Sequence, residues 1–187
     1  IRLNTEVEAK FMRSVLHQYD VCVVAAGARM DREAFVWLEG HELLVDALEV
    51  AHHRIQPSGK VVVIGAGKVG LTVAEYLKKH GVEVIIVEQA KRIAGDIKPS
   101  FKWRHASWVE ELEIPCLTSS RPTKITGEGV TVVNDKGKES FLPADTVLLA
   151  APRKANHELF HEFEWMIDEL HGIGDALIPR GLEQAIS

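Results

Sequence analysis

Residues 61–88, VVVIGAGKVGLTVAEYLKKHGVEVIIVE, constrain this chain more than any other stretch, because they read without a break as strand, glycine turn, helix and strand. Val61, Val62, Val63 and Ile64 form the continuous β-branched run that a parallel strand buried on both faces requires. Gly65, Gly67 and Gly70 follow in GxGxxG spacing. The first permits a tight turn out of the strand, the second leaves the backbone open to a pyrophosphate, and the third lets the next helix lie close to the sheet. Between them Ala66, Lys68 and Val69 bring backbone N–H groups to a helix N-terminus, where the dipole favours an anion. The helix is marked by Val69, Val73 and Leu77 at every fourth residue with Ala74 beside them, and by Lys78, Lys79 and His80 at its positive end. Gly81 stops it. The second strand, 82–87, ends in Glu88, placed to accept a hydrogen bond from an adenosine ribose 2′-OH, which favours NAD over NADP. Lys91 and Arg92 follow closely and could instead meet a 2′-phosphate, although a solvated loop is the simpler reading.

The rest of the composition narrows the class. A chain of 187 residues, 46% apolar and 26% charged, has the makeup of a globular protein with one sizeable core or two small ones. A formal net charge of -5 with no long Lys/Arg cluster argues against a nucleic-acid partner. No apolar run approaches a membrane span. The chain starts at Ile1 with neither signal peptide nor initiator Met, so the beginning is expected to be missing. Cys22 and Cys116 each lie in an apolar, strand-like run and read as buried thiols of a reducing, cytoplasmic compartment.

Taken in order, residues 1–4 are expected to end a strand, and Thr5 with Glu8 to make a capping box for a helix carrying Val7, Phe11 and Val15 on one face. Residues 20–26, DVCVVAA, predict a buried parallel strand running into Gly27. Residues 28–44 lack a clear period and read as a connection on which Trp37 and Leu38 pack. A short helix over 45–55 leads to the turn 56–59, where a domain boundary is expected. Pro99 opens a helix with Phe101, His105, Trp108 and Leu112 on the side that covers the sheet. Short strands at 114–117, 124–126, 130–134 and 139–142, with a hairpin turn at 135–137, form a small antiparallel insert. Residues 145–151 are again a buried parallel strand, ended by Pro152. A helical, acidic segment over 156–170 follows, and then the start of a last helix after Pro179 and Arg180.

Four segments in this order, VVAAGA at 23–28, GAGKVG at 65–70, ADTVLLAAPRKAN at 144–156 and GIGDALIPRGLEQAI at 172–186, resemble the pyridine nucleotide-disulfide oxidoreductase superfamily. More narrowly, the pattern is similar to the C-terminal region of the NADH:flavin oxidoreductases of the Old Yellow Enzyme, 2,4-dienoyl-CoA reductase, enoate reductase and trimethylamine dehydrogenase group. The resemblance implies an α/β fold: a Rossmann-like NAD(H)-binding domain, 57–152, with a parallel sheet and a small antiparallel insert. That domain is inserted into a partial second Rossmann-like, FAD- or ADP-binding domain made of 1–56 and 153–187. It also implies that Ala26 and Gly27 close over the flavin-side nucleotide, that Gly174 and Asp175 meet its ribitol or ribose, and that Gly65, Gly67, Gly70 and Glu88 hold NADH. The parent enzyme would pass hydride from NADH to a flavin to reduce an enoate- or enoyl-type substrate. Its FMN, iron-sulfur cluster and catalytic barrel are implied for a missing N-terminal part, as is the first glycine turn for FAD. The chain by itself is therefore expected to bind NADH, to retain no FAD, to turn over no NADH and to self-associate. The strand at 145–151 departs from the pattern, ending Ala-Ala-Pro where the family has a glycine near the nicotinamide.

Two other classes compete. His157-Glu158-Leu159-Phe160-His161 is an HExxH string, which on a helix sets two imidazoles on one face for zinc with the Glu as general base. The third ligand would have to come from Glu164, Glu169 or His171, and the simpler reading is a solvated amphipathic helix with Leu159 and Phe160 packed inward, so no metal ligand is expected. The other alternative is a structural or sensor module that binds nucleotide without chemistry. No residue stands out as general acid, nucleophile or electron acceptor, so no catalytic residue is assigned, and hydride transfer would be the cofactors' chemistry.

Overall fold

The computed structural model describes residues 1–31, 35, 42–150 and 152–179. The chain divides into two compact units, one of Ile1–Asp31 with Pro152–Ser187 and one of Arg32–Ala151. It enters the first with helix α1 (Ala9–Val15) and strands β1 (Cys22–Val24) and β2 (Ala28–Met30). The second begins with β3 (Leu44–Asp46), α2 (Ala47–Ala51), β4 (Lys60–Ile64), α3 (Lys68–Lys79), β5 (Glu83–Val87), α4 (Pro99–Glu111) and β6 (Cys116–Leu117). It continues with β7 (Ser120–Thr126), β8 (Gly129–Asn134), β9 (Glu139–Pro143) and β10 (Thr146–Leu149). The first unit is completed by β11 (Arg153–Ala155), α5 (Glu158–Phe163) and β12 (Leu170–Gly172).

The β-branched run of β4 becomes the strand that both faces bury: Val61, Val62, Val63 and Ile64 are all at most 4% exposed. It lies inside a parallel sheet of order β3-β10-β4-β5-β6. The chain runs from β4 outward through β5 to β6, then returns to the other side of β4 as β10, so the direction of winding reverses at β4. Crevices for ligands open at the carboxyl ends of strands at such a reversal. Helix α3 covers one face with Leu71, Val73, Ala74 and Leu77, which join Val61, Val63, Val84, Ile86 and Leu148 in one core. It stops as its sequence predicts. Gly81 takes a positive φ, its N–H reaches the Lys78 carbonyl and the Val82 N–H reaches the Leu77 carbonyl, closing a Schellman motif.

The insert is a three-stranded antiparallel sheet, β7-β8-β9, with Asn134 accepting the amides of Lys136 and Lys138 across the hairpin turn. Residues 116–117, expected in this insert, instead extend the parallel sheet beside β5. Helix α4 starts at Pro99 as expected, but Phe101 is 59% exposed and the helix packs through Val109 and Leu112. An exposed Phe101 shows that the inward stripe is narrower than the one expected from 101, 105, 108 and 112.

The boundary expected at 56/57 moves to 31/32. The cause is β3, which pairs in parallel with β10, and α2, whose Ala47 and Val50 join the core of the second unit. Asp46 starts α2 by accepting the Leu48 amide at 2.8 Å.

In the first unit β1 and β12 pair in parallel, β2 and β11 antiparallel, and Met12, Val24 and Phe163 form the core. The strand predicted over 20–26 is present over 22–24, but only one face is covered within these residues, Val23 being 53% exposed. Residues 1–4 form no strand, and the capping box is not made. Glu8 occupies the N-cap position, no side chain caps the helix, and the Thr5 hydroxyl donates to the Leu3 carbonyl instead. Trp37, Leu38, Arg180 and the expected last helix fall outside the described residues.

Candidate functional site

The turn between β4 and α3 can be built only from glycine at two points. Gly65 has φ of +103°, and a Cβ there would stand 2.6 Å from the Ala150 carbonyl oxygen, at the carboxyl end of the neighbouring β10. A Cβ on Gly70 would stand 1.9 Å from the Gly65 carbonyl oxygen, closer than any real contact, so this glycine seats α3 against the strand it leaves. Ala66 is buried between them, while Lys68 is exposed and Val69 half-buried at the first turn of α3. The result is a backbone amide surface at the N-terminus of a twelve-residue helix, at the winding reversal of a parallel sheet. That is the geometry a dinucleotide pyrophosphate needs.

Two carboxylates of the chain already engage this surface. Glu88, at the end of β5, accepts the Ala66 amide at 2.6 Å and the Ala90 amide at 2.7 Å. Asp96, from the loop before α4, accepts the Lys68 amide with its two oxygens at 3.0 and 3.1 Å. Glu88 was legible from the sequence as a ribose acceptor; its bond to the turn was not. Asp96 carried no signal of its own, because its partner lies 28 residues away and no motif spacing joins them.

A cavity of about 240 Å³ lies next to Glu88, lined by Gln89, Lys91, Ser119, Ser120, Arg121 and Asn134 among others. It forms because β7 begins by wrapping the segment after β5: the Ser120 amide donates to the Glu88 carbonyl and the Ser119 amide to that of Ala90. Lys91 and Arg92 are exposed in the bend after β5, as a solvated loop requires, and Lys91 also lines this cavity with Arg121.

In the first unit the parallel pairing of β1 with β12 brings together the segments after both strands, because the Ile173 amide continues the ladder to the Val24 carbonyl. Ala26 and Gly27 follow β1, and Gly174 and Asp175 follow β12. Gly27 has φ of +69° and its carbonyl accepts the Asn156 amide. Arg153, which the sequence did not single out, joins the two segments. Its guanidinium donates to the Ala28 carbonyl and stands 4.0 Å from the Asp175 carboxylate.

The HExxH string lies at the start of α5 with its side chains engaged by other residues of the unit. His157 precedes α5 as its N-cap, the two imidazole centroids are 5.8 Å apart, and the Glu158 carboxylate pairs with Arg29 at 2.6 Å. His161 lies 3.6 Å from Glu164, Leu159 and Phe160 pack on the core of the unit, and no metal-binding group of three is found among the described residues. Burial raises the thiol pKa of Cys22, and pushes that of Cys116 up to about 11, so both favour the protonated form.

The family model for Pyridine nucleotide-disulphide oxidoreductase matches residues 5–174. Bilirubin reductase of Mediterraneibacter gnavus is 34% identical over 158 residues, 83% of this chain and 24% of the relative. NADH oxidase of Thermoanaerobacter brockii is 36% identical over 129 residues, 68% of this chain and 20% of the relative. Among solved structures, a 2-naphthoyl-CoA reductase superposes with a TM-score of 0.89 at 26% identity, covering 99% of this chain and 28% of that one. The chain thus spans less than a third of the length of these relatives. Its match to 2-naphthoyl-CoA reductase runs through both units, which agrees with the resemblance drawn from the order of the four sequence segments.

Proposed function

We propose, for a chain that belongs to the pyridine nucleotide-disulphide oxidoreductase family, that the unit of residues 32–151 binds NADH as part of a larger flavin-dependent reductase. The observation that carries this is the Gly65–Gly70 contact. It fixes the helix N-terminus at the reversal point of the sheet, where the glycines of the turn put no side chain of their own toward the ligand. In this reading Gly65, Ala66, Gly67, Lys68, Val69 and Gly70 hold the pyrophosphate, Glu88 accepts from the adenosine ribose, and the cavity behind Glu88 receives the adenosine end. The other unit holds FAD or ADP, with Ala26 and Gly27 on one side of it, Gly174 and Asp175 on the other, and Arg153 keeping these segments in place.

When bound, NADH supplies hydride and the flavin accepts it. The chain's contribution is to place both: the glycine turn removes side chains from the approach, α3 offers its amides, and the buried strands keep the turn rigid. No side chain of this chain is assigned a catalytic role. The printed names of the relatives, a bilirubin reductase, an NADH oxidase and a 2-naphthoyl-CoA reductase, support an oxidoreductase as the whole enzyme, and an enoate- or enoyl-type substrate is the one proposed for it. FMN and an iron-sulfur cluster, in this proposal, belong to parts of that enzyme outside these residues, which also become the partner of the FAD-side unit. Copies of the chain as given are proposed to self-associate through that unit's apolar surface. The cytoplasm is the proposed compartment, on the two free thiols. Among the described residues no helix is long and apolar enough to cross a membrane.

Titration of the 187-residue chain with NADH, followed by nicotinamide fluorescence, tests the reading. Saturable binding that Gly70→Ala abolishes is expected, with no retained FAD and no NADH oxidation by the chain alone. Absence of nucleotide binding would overturn the reading, and stoichiometric FAD would overturn the division of labour between the units.

A further inference from the structure

The second glycine of a dinucleotide turn leaves room for the pyrophosphate to approach the backbone. Here that room is taken. A Cβ built on Gly67 would stand 2.7 Å from one Asp96 carboxylate oxygen and 3.0 Å from the other. The same oxygens accept the Lys68 amide at 3.1 and 3.0 Å, at the first residue of α3. A carboxylate of the chain therefore fills the space that this glycine leaves open.

The loop that carries Asp96 is anchored through its buried neighbours, whereas the carboxylate is held at the Lys68 amide on the surface. Ala94 is fully buried and its amide donates to the Ala66 carbonyl at 2.8 Å, while Ile97 is buried in the core of the unit. Asp96 between them is exposed, so its side chain can rotate into solvent with the backbone unmoved. We propose that Asp96 sets the affinity of the glycine turn for its dinucleotide, by holding the phosphate seat itself until the ligand displaces it. This rests on the NADH reading above. Displacement costs the hydrogen bonds to Lys68 and leaves a like charge beside the bound pyrophosphate, so the residue opposes binding twice. In return it satisfies the α3 N-terminus while the seat is free of ligand.

The two roles move in opposite directions on substitution, which makes the proposal testable on the full chain. Asp96→Ala, which loses the hydrogen bond to Lys68 and the charge, is expected to bind NADH more tightly than the unchanged chain, on the order of tenfold, the scale of one cap-type hydrogen bond, and Asp96→Asn, which keeps an acceptor and loses only the charge, by a smaller factor in the same direction. Asp96→Ala should melt at a lower temperature without ligand, Asp96→Asn close to the unchanged chain, and both should show a larger rise in melting temperature at saturating NADH. Inorganic pyrophosphate, which probes the seat without adenosine, should follow the same order. Affinity that is unchanged or weaker in both variants, with the loss of thermal stability confined to Asp96→Ala, would make Asp96 a structural cap only and overturn the proposal while leaving the NADH site intact. Failure of all three chains to bind NADH would instead remove the site reading, and the proposal with it.

Discussion

The Glu88 carboxylate accepts the Ala66 amide at 2.6 Å, so the acid that closes β5 also ties down the glycine turn that leaves β4. Its other oxygen holds the Ala90 amide at 2.7 Å, and the backbone adds a second link, the Gly65 amide donating to the Val87 carbonyl at 2.8 Å. Adjacent parallel strands thus present turn and acid as one piece. In the proposed reading, a substitution that removes the Glu88 carboxylate would act on stability and on nucleotide choice together.

The unchanged chain is expected to prefer NADH to NADPH, because a 2′-phosphate would face the Glu88 carboxylate as a like charge. Glu88→Gln keeps an acceptor for only one of the Ala66 and Ala90 amides and loses the charge, so the preference should narrow with a smaller loss of stability than Glu88→Ala causes. Glu88→Ala loses both and should cost about 1–3 kcal/mol for the unsatisfied, part-buried amide. Paired titrations with the two nucleotides and a denaturant melt check this. A preference for NADPH that Lys91→Ala and Arg121→Ala abolish would show that the basic cavity, and not the acid, sets the choice.

Gly70→Ala should destabilise the chain by about 3 kcal/mol, the upper end of the overpacking range. The added carbon would meet the Gly65 carbonyl at 1.9 Å, which is backbone and cannot rotate away. Urea unfolding measures the loss; a change below about 1 kcal/mol would show that α3 slides freely on the sheet.

Purified protein should carry no stoichiometric zinc, since no group of three potential ligands gathers around His157 and His161 among the described residues. Elemental analysis decides it. Zinc that disappears on replacing His157 or His161 by Ala would revive the hydrolase alternative.

Cys116 should resist alkylation in the folded chain at pH 8 and react on unfolding. Burial raises its pKa from the ordinary 9.0 to about 11 in the folded state. A group whose folded pKa is raised contributes stability that is fully present below its unfolded value and is lost as the pH rises through the folded one. Stability should therefore fall between pH 9 and about 11, and Cys116→Ser should flatten that part of the profile. Rapid labelling of the native chain at pH 8 would contradict this.

The sequence alone determined the unit from β4 to β5 and its turn, because everything needed there is local or periodic. A β-branched run becomes a strand buried on both faces, apolar residues three and four apart become the inner face of α3, and Gly81 ends that helix. The hairpin turn after Asn134 was legible for the same reason. The tertiary structure decided what depends on partners distant in the chain. The three residues of β3 are a strand only because β10 lies beside them, and that pairing moves the unit boundary from 56/57 to 31/32. Arg121 and Lys91 share a cavity only because β7 folds back over the end of β5. Arg153 meets Ala28 and Asp175 through two separate strand pairings. Asp96 reaches Lys68 because buried Ala94 and Ile97 fix its loop over the glycine turn. Periodicity reports which face of an element is buried, whereas the partner of a polar side chain is set by where the whole chain brings an unpaired donor, and no local pattern carries that.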